Sequence, residues 1–586
     1  MKVQIDFEGE SRLFKNPIKT FICNDISLIA QTIDEITQLV NQGFYAVGYL
    51  AYEASSAFNQ YHITKDWAEN KLPLLLFGIY KEYHTPMQDL NYNQSATLSL
   101  NCNTSEPDYQ DNITKIKQYI ESGITYQTNY TVQFHSEFNG DPYAFYQFLQ
   151  RHNEADYCAY IQLDNLHILS ISPELFFKTQ NHLITTKPMK GTTARGINLI
   201  DDDLQLRELF SEKNQAENMM IVDLLRNDLS KISIPGTVNV SQLFSAEKYP
   251  TVWQLTSTIQ AELKPDTALF DILTALFPCG SITGAPKAST MQIIADIEKQ
   301  PREVYCGTIG YIEPNFKQTI FNIPIRTLTV HHQQATYGVG GGITWDSTAS
   351  NEYQEIINKT AMLNYKAIKP EYLIECFLCQ NQQIYLLEEH LNRLTLSAQF
   401  FNFKHDLDLI RKDVKHIEKL DPKYDYKIRL CLRENGHYTL DANPILQPMQ
   451  ISNITLATHC IKRDNIFIYH KTSNRSHLPE IESGQEILLY NESRQITEFV
   501  NGNIALFINN QWLTPKLTSG LLPGVMREHY LKQAILFEAT LSIEDILKAE
   551  KMAFINSVRK WININDLTLT KLKQQIQHDH GNLSHE

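Results

Sequence analysis

Pro188-Met189-Lys190-Gly191-Thr192-Thr193-Ala194-Arg195-Gly196 holds a lysine between a proline and a glycine, directly after a strand-like run, Leu183 to Thr186. An amine presented this way becomes a nucleophile if burial lowers its pKa. Just upstream, Ile171-Ser172-Pro173-Glu174-Leu175-Phe176 sets a carboxylate among apolar and aromatic neighbours. Loss of solvation raises such a carboxyl towards a proton-shuttling range, which makes Glu174 an acid/base candidate.

Downstream, Ala216 to Leu229 reads as a helix with Glu217 near its start, and Asn351 to Lys359 places Glu352 and Glu355 at i and i+3 on one helical face. Hard oxygen ligands from two helices, completed by a substrate carboxylate and water, suit Mg²⁺. Taken singly, each of these glutamates reads as a solvated helix charge. Tyr337-Gly338-Val339-Gly340-Gly341-Gly342-Ile343-Thr344 lacks the register of a dinucleotide loop and no helix opens directly after it. Its Cβ-free backbone can instead approach a flat carboxylated ring and offer N–H groups to anionic oxygens. Arg326, in Ile323-Pro324-Ile325-Arg326-Thr327, can clamp a carboxylate bidentately. Gly280 to Lys287 is no phosphate loop, because no Gly-Lys-Ser/Thr follows at the required spacing.

Together these segments resemble, in order and spacing, the chorismate-utilising enzymes: anthranilate synthase, isochorismate synthase and aminodeoxychorismate synthase component I. Anthranilate synthases usually read Pro-Ile-Ala-Gly-Thr where this chain reads Pro188-Met189-Lys190-Gly191-Thr192, and aminodeoxychorismate synthases read Pro-Ile-Lys-Gly-Thr. The resemblance implies that Lys190 adds to the chorismate ring at C2 as the C4 hydroxyl leaves, and that ammonia then attacks C4 and expels the lysine. It implies that Glu174 shuttles protons and that Glu217 and Glu355, with Glu352 beside them, hold Mg²⁺. Arg326, Thr192, Lys287 and the Gly340, Gly341 and Gly342 backbone are implied as substrate-positioning groups. Gln254 stands where the anthranilate members carry His, which disfavours anthranilate formation. The chain shows no Gly-x-Cys-x-Gly turn, so ammonia is expected from solution or from a separate glutamine amidotransferase subunit.

The helix approaching Lys366 runs into Ile368-Lys369-Pro370, where proline disfavours helix at the residue before it. A fresh β pattern begins at Tyr372. This places a boundary between residues 1–366, with an N-terminal part to about 120 and the chemistry in 121–366, and a second domain, 371–586. In the N-terminal part, short β-like runs surround one helical stretch near Ile26 to Asn41. In the second domain, Ile384 to Leu394 reads as a strand turning into a helix that carries Arg393, and Ile466 to Arg475 as a β run ending in Lys471. Glu498 to Phe507 and Gly520 to Arg527 follow.

These segments look like fold-type IV pyridoxal-phosphate enzymes: branched-chain aminotransferases, D-amino acid aminotransferases and aminodeoxychorismate lyase. The resemblance implies that Lys471 carries the cofactor aldehyde, that Glu498 pairs with the pyridine nitrogen, and that Arg393 with the Gly524-Val525-Met526 turn binds the phosphate. The fold class expected is α+β: sheets with flanking helices in a chorismate-utilising fold, then a fold-type IV domain. The joined halves point to 4-aminobenzoate synthesis, amination of chorismate followed by elimination of pyruvate. The alternatives are an aminotransferase of unrelated substrate in the second half, or one half acting as a non-catalytic ligand-binding module. By analogy, the second domain is expected to form a homodimer.

At 586 residues the chain exceeds what one hydrophobic core usually supports. An apolar fraction of 42% with 20% charged residues is that of a globular protein, and a net charge of −14 repels phosphate backbones, so nucleic acid is not an expected partner. The start lacks the apolar core of a signal peptide and no run spans a bilayer, so a cytoplasmic protein without membrane contact is expected. Nine scattered cysteines argue against a disulfide framework, and Cys376-x-x-Cys379 reads as chance strand residues.

Overall fold

The computed structural model describes every residue except 67–71, 87–95, 97, 198, 250–251, 366–368, 417–419, 448–449, 483 and 584–586. The boundary expected at Lys366 therefore lies outside the described residues. The chain divides into two compact units, Met1–Arg195 with Leu204–Ala367, and Gly196–Asp203 with Ile368–Glu586.

In the first unit, two large antiparallel sheets pack face to face. Strand residues alternate between faces, and the strand Tyr45–Leu50 shows the consequence. Val47 and Tyr49 enter the core between the sheets with Val3, Ile5, Ile168, Ile309 and Ile320. Ala46 and Leu50 face outwards, under Ile29, Ile33 and Ile36 of the helix Ile29–Asn41 and under Ile221 and Leu225 of the helix Glu212–Ser230. On the other sheet, Tyr130, Val132 and Val339 are covered by Tyr109, Ile113 and Ile116 of the helix Glu106–Glu121 and by Ile356 of the helix Ala349–Thr360.

The expected helix near Ile26 to Asn41 forms, entered through a short turn at Ile26–Leu28. The expectation of a single helical stretch in the first 120 or so residues is corrected by Glu106–Glu121. Ser105 caps that helix, its Oγ accepting the Asp108 N–H at 3.3 Å.

The second unit carries a four-stranded antiparallel sheet around Tyr372–Gln380 and Tyr426–Arg433, covered by the helix Leu387–Phe401. It also holds a mixed eight-stranded sheet centred on Gly502–Ile508. The β run expected at Ile466 to Arg475 does not form. Ile466–Ile468 is a tight helical turn capped by Asn465, and Lys471 lies beyond it in irregular backbone. The mixture of helices and sheets is the expected α+β class. No helix among the described residues is long and apolar enough to cross a membrane.

Candidate functional site

Between Met189 and Thr192 the strand Met189–Ala194 gains one residue over its partner, since Met189 faces Thr256 and Thr192 faces Gln254. Gly191, at φ +94°, absorbs this bulge, which only a residue without Cβ adopts freely. The bulge re-aims Lys190. Its Nζ comes within 3.1 Å of the point where a Cβ on Gly342 would sit, and the Gln127 Nε2 lies 2.2 Å from the same point. Gly342 thus makes room for two polar side-chain ends at once. An alanine there should push the Lys190 amine out of line and lower amination by about a hundredfold, the scale of a 1 Å misplacement. Turnover with ammonium, read beside an unchanged melting temperature, checks this.

Burial holds the Lys190 ammonium below its ordinary pKa, opposed by the charges of Glu174 and Glu217. Glu174 is 3% exposed and accepts a hydrogen bond from Ser281 Oγ at 2.7 Å. Burial pushes its carboxyl up to about 7, although Ser281 and Lys190 pull the other way. Glu174 is thus protonated below about pH 7 and can give up that proton to a leaving oxygen, an ability lost as the pH rises. Glu174→Gln should cut amination by about 10²–10⁴-fold and erase the alkaline fall in the rate profile. A variant that keeps that fall would assign it to another group.

Arg326 is held at φ +52° and its guanidinium is buried beside Tyr337 and Tyr249, with burial lowering its pKa. Among the described residues it has no carboxylate partner. A buried, uncompensated cation is costly and marks a place for an anionic ligand. Thr192 Oγ1 donates to Gln254 Oε1 at 2.9 Å, so the residue that departs from the anthranilate pattern sits directly across the bulged strand.

The structure revises two of the sequence expectations. Lys287, expected on the substrate, is held by Asp228 Oδ2 at 3.0 Å and by the Leu276 carbonyl at 3.2 Å, which fixes it as a structural cation. Glu352 feels the charge of Glu355 but faces away from Lys190. Its Oε2 lies 3.1 Å from where a Cβ on Gly341 would point, and successive strand residues face opposite ways, so it sits across the glycine strand from Lys190. Glu217 feels the charges of Lys190 and Glu355, and Glu355 feels that of Lys190. Glu355 here pairs with Lys359 at 2.7 Å. Among the described residues no group of three or more His, Cys, Asp or Glu could hold a metal ion. Two carboxylates still fit Mg²⁺, which keeps its waters and takes one or two protein oxygens.

The second unit contains a cavity of about 510 Å³ lined by Lys471, Glu498, Arg393, Asn503, Gly524 and Met526, among others. Lys471 is fixed through its backbone, its carbonyl accepting the Ile374 N–H at 2.8 Å, and burial lowers its pKa. Glu498 accepts from the Leu522 N–H at 3.0 Å and Asn503 Nδ2 at 3.2 Å, and burial pushes it up to about 8. A cationic ring nitrogen against it would restore the ionised form. Gly524 caps the helix Val525–Lys532, and a Cβ there would meet Asn503 Oδ1 at 1.9 Å. A backbone cradle at a helix N-terminus, a cavity lysine and a buried acid together fit pyridoxal phosphate.

Arg393 is less free than the sequence suggested. Its Nε and Nη2 grip both oxygens of Glu375 at 2.8 and 2.7 Å, and its Nη1 donates to the Pro523 carbonyl at 3.1 Å. It therefore braces the turn that leads to Gly524. Burial alone would raise Glu375, but Arg393 and His390 overrule it and hold the carboxyl down at about 2. Sequence reasoning missed Glu375 in this role, as it missed Ser281 and Gln127. Ser281 lay within a quoted motif, whereas nothing local distinguished Gln127.

A model of the chorismate binding enzyme family matches residues 8–364, and one of the class IV amino-transferases matches residues 372–567. Aminodeoxychorismate synthase component 1 of Klebsiella aerogenes is 36% identical over 342 residues, covering 54% of this chain and 75% of that protein. The Bacillus subtilis (strain 168) protein of the same name is 38% identical over 256 residues, 44% of this chain and 54% of its own length. Among solved structures, anthranilate synthase component I from Streptococcus pneumoniae aligns over 62% of this chain and 92% of its own, with a TM-score of 0.54 and 24% identity, a likeness of fold.

Proposed function

Because the chain belongs to the chorismate-binding enzyme family through residues 8–364 and carries a class IV aminotransferase domain through residues 372–567, we propose that it makes 4-aminobenzoate from chorismate in two steps. The observation that carries this reading is Lys190, an amine with a burial-lowered pKa, set beside Glu174 where anthranilate-forming relatives carry alanine.

In the first step, Lys190 Nζ bonds to ring C2, both ring double bonds shift by one position, to C1=C6 and C4=C5, and the C4 hydroxyl departs as water with the proton from Glu174. Ammonia then bonds to C4, both double bonds return, and the C2–N bond to Lys190 breaks. Arg326 holds a substrate carboxylate, with the Gly340 to Gly342 backbone against the ring. Glu217 and Glu355 would hold Mg²⁺, and its positive charge would offset that of the other substrate carboxylate. A separate glutamine amidotransferase subunit supplies the ammonia.

In the second step, pyridoxal phosphate bound in the 510 Å³ cavity would supply the electron sink that acidifies the C–H bond beside the new amine. Lys471 takes the C4 proton, the C3–O bond breaks, and enolpyruvate leaves an aromatic ring. Glu498 would hold a proton on the pyridine nitrogen, and the turn braced by Arg393 would seat the phosphate.

Purified protein given chorismate, ammonium, Mg²⁺ and pyridoxal phosphate should release 4-aminobenzoate and pyruvate in equal amounts without any added keto acid. Aromatic product that appears only when a keto acid is supplied would make the second unit an aminotransferase.

A further inference from the structure

The cavity of the second unit carries more positive charge than the roles above use. Besides Lys471 and Arg393, its wall includes Lys427, Arg429, Arg475 and Arg559, while Glu498 is the one acidic residue along it among the described residues. None of the four is paired with a carboxylate among the described residues. Arg475 Nη2 donates to the Val500 carbonyl at 3.1 Å and to Asn501 Oδ1 at 3.3 Å, and Arg559 Nη1 to the Gln447 carbonyl at 3.2 Å. These neutral acceptors fix the two side chains without cancelling their charge. Arg429 Nε is buried and has no hydrogen-bond partner.

Four unneutralised cations around one recess are not a by-product of composition, because the whole chain carries a net charge of −14. Lys427 and Arg475 are exposed and Arg429 and Arg559 half-buried, so water screens part of their mutual repulsion, and an anionic ligand seated among them would relieve the rest. The cofactor phosphate, seated at the Gly524 turn braced by Arg393, accounts for one anion and leaves the four cations over.

We propose that Lys427, Arg429, Arg475 and Arg559 make this cavity selective for a cyclic amine bearing two carboxylates, and against amino acids bearing one. This rests on the reading that the cavity binds pyridoxal phosphate. It deepens that reading by naming the groups that choose the substrate. Arginine forks meet carboxylates with paired, charge-assisted hydrogen bonds, so a second carboxylate adds affinity that a neutral substituent cannot.

The test uses the whole protein loaded with pyridoxal phosphate and reduced with borohydride, so that pyridoxyl fluorescence reports this cavity alone. Two amine-free probes are titrated, 3-(carboxymethoxy)benzoate and 3-methoxybenzoate, which differ by one carboxylate. The dicarboxylate should bind at least about tenfold more tightly, a preference that shrinks with added salt. Arg475→Gln, Arg559→Gln and Lys427→Gln should each reduce the preference while leaving the fluorescence yield intact. Equal affinity for the two probes, or a preference that all three variants retain, overturns the proposal while the cofactor reading stands. Failure to acquire any pyridoxyl fluorescence overturns both.

Discussion

Lys190→Ala is expected to slow ring amination by at least about a thousandfold while leaving the absorbance of bound pyridoxal phosphate unchanged. Without the tethered amine, ammonia at bulk concentration would have to displace hydroxide directly. A held nucleophile acts at an effective concentration of many orders above molar, and its loss is felt almost entirely in the chemical step. The fold should not suffer. Burial disfavours the charged form of Lys190, so removing the ammonium relieves a desolvation cost. The Lys190 backbone contact, its carbonyl accepting from Asn218 Nδ2 at 3.3 Å, survives in alanine. Chorismate consumption by liquid chromatography, read beside a thermal melt, makes the comparison. A variant that aminates chorismate at the parental rate would remove the lysine from the reaction.

The parts of this site that were legible in the sequence are those whose cause is local. Glu174 is buried because Ile171, Leu175 and Phe176 flank it on strands that enter the core, so its raised pKa follows from its neighbours. Glu352 and Glu355 fall on one helix as their spacing requires. What escaped depends on distant pairing. Ser281 meets Glu174 across 107 residues, and Gln127 reaches Gly342 because their strands are neighbours. The glycine run showed that backbone would approach something, without showing that alternate glycines face different partners. Ile466-Phe467-Ile468 misled for the opposite reason. β-Branched and aromatic residues favour strands, but Asn465 Oδ1 takes the Phe467 N–H at 3.0 Å and turns the chain instead. The helix Glu106–Glu121 hid because two of its four buried positions are Tyr109 and Asn112, which blur an apolar period.

Lys471→Ala should abolish the cofactor's visible absorbance and lower pyruvate release by at least about a thousandfold, while the first step continues. The aminated, non-aromatic ring would then accumulate, one molecule for each chorismate consumed, because the two reactions use different amines in different units. The cavity itself should persist. Lys471 contributes its carbonyl to the Ile374 N–H, and alanine keeps that bond. Glu498, which burial pushes up to about 8 although Lys471, Arg527 and Arg475 pull the other way, is largely protonated at neutral pH. Its hydrogen bonds from Leu522 and Asn503 keep it in place whether or not the lysine is present. The loss is therefore chemical: no amine remains to hold the aldehyde or to take the C4 proton. Pyruvate can be followed with a coupled dehydrogenase and the intermediate by mass. Parental pyruvate release from this variant would show that elimination needs no cavity amine, and the roles given to Lys471 and Glu498 would fall with it.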